Sequence, residues 1–244
     1  MDNVRQPSHY TSQRVKVSGF MLFRPSKLPD CVRIRPPLYD PSFPYIIFWS
    51  QKSGCTTIKA LSMAEAEQVY GPLPDERFPI EAVNLNKVAP KYWRRTVRYD
   101  SAEAPGTIIA DPRNYYVYRI EGDNVATRYG VNVGRAGFLW SGDAYIGRKA
   151  EWPVWTPPRE MIERQPEVAQ YAGGMAPGLD NPLGARTLYL YQDGRYTLYT
   201  LYSTRQAETI GKGISSGCIG LLTQDMMDLY ERTPVNTKVI VLKA

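Results

Sequence analysis

Near its C-terminus the chain reads Ile214-Ser215-Ser216-Gly217-Cys218-Ile219-Gly220, a run of small residues that delivers a thiol directly after a glycine. Such a turn has a chemical use. Glycine lets the backbone bend tightly, so the Cys218 thiol and neighbouring N–H groups can converge on one carbonyl. An unassisted thiol, with a pKa of about 8.5, is a few per cent thiolate at neutral pH, enough for slow nucleophilic attack. The single histidine in the sequence is His9, far upstream of this motif.

The flanking segments read as elements that would carry the turn. Upstream, residues 186–191 and 196–201 alternate around Asp193-Gly194, which predicts a hairpin. Downstream, Thr223 is expected to cap a helix over 224–232, with Asp225 in the first turn where the helix dipole favours an anion. Pro234 ends that helix, and 238–242 is a final strand. Earlier strands are expected over 107–110, 115–120 and 126–133, with a turn at 121–124. Residues 148–158 read as an aromatic, Pro-rich segment, 160–171 as a short helix broken at Pro166, and 173–184 as a long loop. The fold class is therefore mainly β with short helices, a β-sandwich over about 104–244, preceded by a basic N-terminal extension.

Residues 1–43 are rich in proline and basic residues, an extended arm or loop. A buried strand is expected over 45–50 and a helix over 56–70, capped by Thr56 and stopped by Gly71-Pro72. The expected division is 1–71 for the extension with this β-loop-α unit, 72–103 for a Pro-rich connection, and 104–244 for the main domain. A lone strand and helix bury little apolar surface, so proteolysis is expected between about 62 and 105.

Composition bounds the function. The net charge of +6 lies wholly within residues 1–61, where nine Lys/Arg face three Asp, and the basic residues are scattered rather than striped. A solvated arm is the expectation, and nucleic acid is not an expected partner. Three cysteines, Cys31, Cys55 and Cys218, make no disulfide framework, and no Cys/His cluster implies a metal. No cofactor is expected. No apolar run is long enough for a signal peptide or a membrane span, which as written would leave the chain in the cytoplasm.

The Cys218 segment resembles the nucleophile motif of the L,D-transpeptidases, the YkuD-like family, whose usual form is Ser-(His/Ser)-Gly-Cys-(Ile/Val)-Arg. The likeness extends through Tyr129-Gly130-Val131-Asn132-Val133-Gly134-Arg135, Arg148-Lys149-Ala150-Glu151-Trp152-Pro153, Asn181-Pro182-Leu183-Gly184-Ala185-Arg186 and Thr209-Ile210-Gly211, covering about residues 75–244. It implies that the Cys218 thiolate attacks the carbonyl before a terminal D-residue of a peptidoglycan stem peptide. An amine or water would then resolve the thioester, with an oxyanion hole around Ser216, Gly217 and Cys218. It places the protein in the cell envelope, with stem peptides as partners.

Three positions depart from the pattern. Where the family has His-Gly-Thr, this chain has Tyr202-Ser203-Thr204, and Gly220 replaces the Arg that would meet a substrate carboxylate. A phenol with a pKa near ~10 does not replace imidazole as a base. The resemblance thus implies a thioester-forming protein with impaired catalysis, with a non-catalytic peptidoglycan- or partner-binding module as the alternative. A second, shorter likeness lies at residues 20–61. Lys52, Ser53, Gly54 and Thr56 follow a strand as in the phosphosulfate loop of cytosolic-type sulfotransferases, which would make this part a fused fragment.

Overall fold

The computed structural model describes residues 60–135, 140–215 and 217–244, all within one unit, Ile58–Ala244. The expected strand over 45–50, the Thr56 cap, the loop of Lys52, Ser53, Gly54 and Thr56, and the motif residue Ser216 lie outside the described residues.

Strands β1 (Arg95–Arg98), β2 (Ile108–Asp111), β3 (Tyr116–Gly122), β4 (Val125–Gly134) and β5 (Gly142–Glu151) precede a short helix, α2 (Arg159–Arg164). After it come β6 (Arg186–Gln192), β7 (Arg195–Thr204), β8 (Gly213–Ser215), β9 (Ile219–Leu222) and β10 (Lys238–Val241). The strands β4-β3-β2-β10-β5-β6-β7-β9 hydrogen-bond in that order. Strand β9 pairs back onto β4, with Val131 opposite Leu221 and Asn132 opposite Gly220, so these eight strands close on themselves. The two tight hairpins have their expected chemistry. Asp123 and Asn124 (φ 50° and 57°) and Asp193 and Gly194 (φ 49° and 75°) occupy the left-handed region that right-twisted strands require.

Alternate residues of these strands fill the interior, among them Ile108, Val117, Tyr129, Val131, Ile146, Leu188, Leu201 and Leu221. Helix α3 (Thr223–Glu231) follows β9 directly and adds Met226 and Leu229 to the same cluster. This places the Cys218 turn between two fixed elements, the end of β8 and the start of β9.

Three expectations change. Thr223 is the first residue inside α3 rather than its cap, because its buried hydroxyl donates to the Thr204 carbonyl (3.2 Å). The segment expected only to be aromatic and Pro-rich from 148 begins as strand: β5 runs to Glu151. Its pattern is hidden by a register shift between Ile146 and Arg148. The intervening Gly147 sits against the Tyr191 ring, where a Cβ would come within 2.4 Å.

The connection before β1 is also built into the fold. Helix α1 (Met63–Val69) starts at Ser62, which forms a reciprocal capping box with Glu65. Ala66, Tyr70, Val88 and Trp93 pack with Ala207, Ile210 and Leu222, while Ile80 packs with Trp152 and Ala185. Arg186 grips Glu76 through two hydrogen bonds (2.7 and 3.0 Å), and Trp152 Nε1 donates to the same carboxylate (2.8 Å). Residues 62–93 are thus anchored, because their apolar side chains find partners at Leu222 on β9, at Trp152 and Ala185, and in the turn at 207–210, none of which a local reading of 56–70 contains.

Candidate active site

The turn that presents Cys218 is held by close backbone approach. Gly217 has φ 134° and is buried. A Cβ on Gly134, at the end of β4, would lie 2.7 Å from Gly217 Cα, so the two segments meet where Gly134 has no room for a side chain and the φ of Gly217 favours glycine. Ser215 closes the turn: its hydroxyl donates to the Cys218 carbonyl and accepts from Gly217 N–H (3.3 Å). That engagement occupies one of the N–H groups expected to serve an oxyanion.

Cys218 lines a groove of about 850 Å³, together with Tyr196, Leu198, Thr200, Tyr202 and Arg148. Its thiol donates to the Leu198 carbonyl at 3.8 Å, a weak bond typical of sulfur. Leu198 sits at φ 69°, uncommon for a bulky residue. The cause is a bulge in β7: Tyr189 pairs with Thr200 but Tyr191 pairs with Tyr196, leaving three residues opposite one. The bulge turns the Leu198 carbonyl toward the sulfur. Burial pushes the Cys218 thiol up, and the nearby Thr200 polar groups only partly oppose it, although Thr200 Oγ1 makes no hydrogen bond of ordinary geometry among the described residues. The resting thiol is protonated.

Tyr202 and Gly220 are neighbours across the parallel pairing of β7 and β9. The Tyr202 hydroxyl donates to Asn132 Oδ1 (3.2 Å), which also accepts the Gly220 N–H (3.1 Å), while Asn132 Nδ2 donates to Thr209 Oγ1 (2.8 Å). Asn132 is 2% exposed and ties β4, β9, Tyr202 and the turn at 207–209 together. The Tyr202 phenol is pushed up to about 12, by burial first and then by the Cys218 sulfur, with the Asn132 bond pulling back. It holds its proton at neutral pH.

The ring also explains Gly220. A Cβ there would stand 2.5 Å from Asn132 Oδ1 and 2.8 Å from Tyr202 Cζ and Oη. Tyr202 therefore occupies the space that a side chain at 220 would enter. The two departures from the pattern are one packing event.

Ser203 points the other way, as alternation along β7 requires. It accepts from Arg186 N–H (3.0 Å), donates to the Leu183 carbonyl (3.5 Å) and lines a separate cavity of about 300 Å³. The structure thus brings Cys218, Gly217, Tyr202 and Gly220 together and leaves Ser203 on the opposite face. Sequence reasoning did not single out Thr200, Asn132, Ser215 or Leu198. Thr200 and Asn132 carried a signal, one sharing the period-2 face of Tyr202 and the other a lone amide in an apolar strand. The Leu198 bulge carried none.

A sequence model of the YkuD L,D-transpeptidase catalytic domain matches residues 105–241, more than half of the chain. The chain belongs to this family. It is 37% identical over 138 residues to "Putative L,D-transpeptidase YqjB" of Bacillus subtilis, spanning 55% of this chain and 69% of that protein. It is 30% identical over 139 residues to "Probable L,D-transpeptidase YbiS" of Escherichia coli, 55% of this chain and 43% of that protein. The chain thus spans less than half the length of YbiS. Among solved structures, a Brucella melitensis protein described as "Probable carnitine operon oxidoreductase caia" aligns with 65% of this chain and 99% of its own. The identity is 40% and the TM-score 0.45. No helix among the described residues is long and apolar enough to cross a membrane.

Proposed function

We propose that this protein acts on peptidoglycan stem peptides through a Cys218 thioester, with proton transfer impaired because Tyr202 stands where the family places its base. The observation that carries the reading is the Gly217-Cys218 turn opening into the groove with a half-buried phenol, not an imidazole, beside the sulfur. In the reaction the Cys218 thiolate adds to the carbonyl before a terminal D-residue. The C–N bond breaks, the departing amine takes a proton, and an amine or water cleaves the thioester. Both proton transfers fall to solvent, a loss on the order of 10²–10⁴-fold relative to a positioned base. The cell envelope is the place of action this reading implies.

A second reading, a module that binds stem peptides without acyl transfer, draws on the protonated resting thiol. Intact-mass analysis after incubation with a carbapenem separates the two. Addition of the drug's mass, mapped to Cys218, supports slow acylation. An unmodified protein that still binds muropeptide supports the second reading.

A further inference from the structure

Residue 220 has no room to meet a substrate carboxylate while Tyr202 and Asn132 fill the space above it. The groove nevertheless contains a cation placed to do so. In the pairing of the sheet, Arg148 on β5 stands opposite Tyr189 on β6, and Tyr189 stands opposite Thr200 on β7. Leu201 is paired with Ile219, so one residue earlier the row continues from Thr200 to Cys218. Residues directly opposite share a face, and three strand spacings put the Arg148 backbone about 14 Å from that of Cys218. A long side chain bridges part of that gap along the groove wall.

The Arg148 guanidinium lies over the Tyr189 ring, 4.6 Å from its centroid. Stacking on a ring face steadies the group and leaves its in-plane N–H donors pointing outward, a geometry suited to a carboxylate. Arg148 is exposed, and its side chain makes no hydrogen bond or ion pair among the described residues. Among the described residues Glu160 is the single carboxylate lining the groove, and no ion pair joins it to Arg148. Burial raises the Tyr196 phenol and the Cys218 sulfur raises it further, while the Arg148 charge lowers it, so that phenol lies within electrostatic reach of both groups.

The geometry points to Arg148 as the carboxylate anchor of this groove, selecting a peptide whose carboxylate lies along the row from Cys218 to β5 rather than beside residue 220. The inference deepens the acyl-donor reading above and rests on it for the identity of the peptide. The anchoring itself does not depend on acyl transfer.

The test uses two thiol reagents that differ only by a carboxylate, N-(4-carboxyphenyl)iodoacetamide and N-phenyliodoacetamide. Each forms the C–S bond at Cys218 as iodide leaves and the thiol proton passes to solvent. Rates at Cys218 are read by peptide mass in the full chain. The ratio of the two rates should fall about tenfold in Arg148→Gln, the scale of one charge-assisted hydrogen bond, and recover in part in Arg148→Lys. Arg164→Gln, which removes another groove cation, should leave the ratio near that of the parent. An unchanged ratio in Arg148→Gln, an equal slowing with both reagents, or an equal effect of Arg164→Gln would overturn the assignment. If the ratio falls as expected but no carbapenem adduct ever forms, the anchor stands and the acyl-transfer reading fails alone.

Discussion

The sharpest consequence of the site geometry concerns the shared space of Tyr202 and Gly220. Gly220 does not have a positive φ, so alanine there meets no backbone strain and its cost is purely steric. The added methyl would approach Asn132 Oδ1 to 2.5 Å and the Tyr202 ring to 2.8 Å, both well inside contact distance. Overpacking of this kind costs about 1–3 kcal/mol. In a domain of this size each kcal/mol lowers the melting temperature by about 2–4 °C. In a Tyr202→Ala background the ring is gone and Asn132 has lost one of its partners, so the methyl can be accommodated. The Gly220→Ala penalty should then shrink by on the order of 1 kcal/mol, a coupling read by urea titration of the parent, both single variants and the double. Additivity to within about 0.5 kcal/mol would show that the phenol does not fill the space above residue 220.

Three further outcomes follow. Tyr202→His combined with Gly220→Arg should acylate Cys218 faster than the parent in the carbapenem mass assay, because the ring that blocks residue 220 is replaced by a smaller base. Asp225 is fully buried beside Arg94 (3.7 Å) and the Tyr70 hydroxyl (3.1 Å), and burial, opposed by those partners, pushes its carboxyl up to about 7. The folded state then holds a proton that the unfolded state releases near ~3.9. Its stabilising contribution is complete below that value and is lost as pH rises toward 7. Urea titrations of the parent should therefore lose stability relative to Asp225→Asn over pH 4–7, by at most roughly 1.4 kcal/mol per pH unit; a difference that is flat or rises with pH would contradict this. Limited proteolysis should spare residues 62–93, whose Tyr70, Ile80, Val88 and Trp93 are buried, and early cleavage there would show that this packing does not persist.

Much of the framework was legible because it is local. The Asp193-Gly194 and Asp123-Asn124 turns and the alternation on β3, β4, β6 and β7 are read within a few residues, and they give the mainly-β fold directly. Cys218 and the Tyr202 and Gly220 departures were equally visible in their motif. What was hidden depends on register and on contacts between distant segments. The shift at Gly147 broke the alternation that would have revealed β5, and the bulge at 197–199 aims Leu198 at a residue twenty positions away. The anchoring of residues 62–93 draws on Leu222, Trp152 and Arg186, which no window around the helix contains.

The central claim is that Cys218 works without an imidazole and rests as a half-buried, protonated thiol. The pH dependence of its alkylation by N-phenyliodoacetamide, followed by peptide mass so that Cys31 and Cys55 are read separately, tests this directly. The account predicts a single rise in rate with a midpoint at or above the ordinary thiol value of about 8.5, since burial outweighs the opposing influence of Thr200. A midpoint below about 7 would mean that another group activates the thiol and that catalysis in this chain is not impaired.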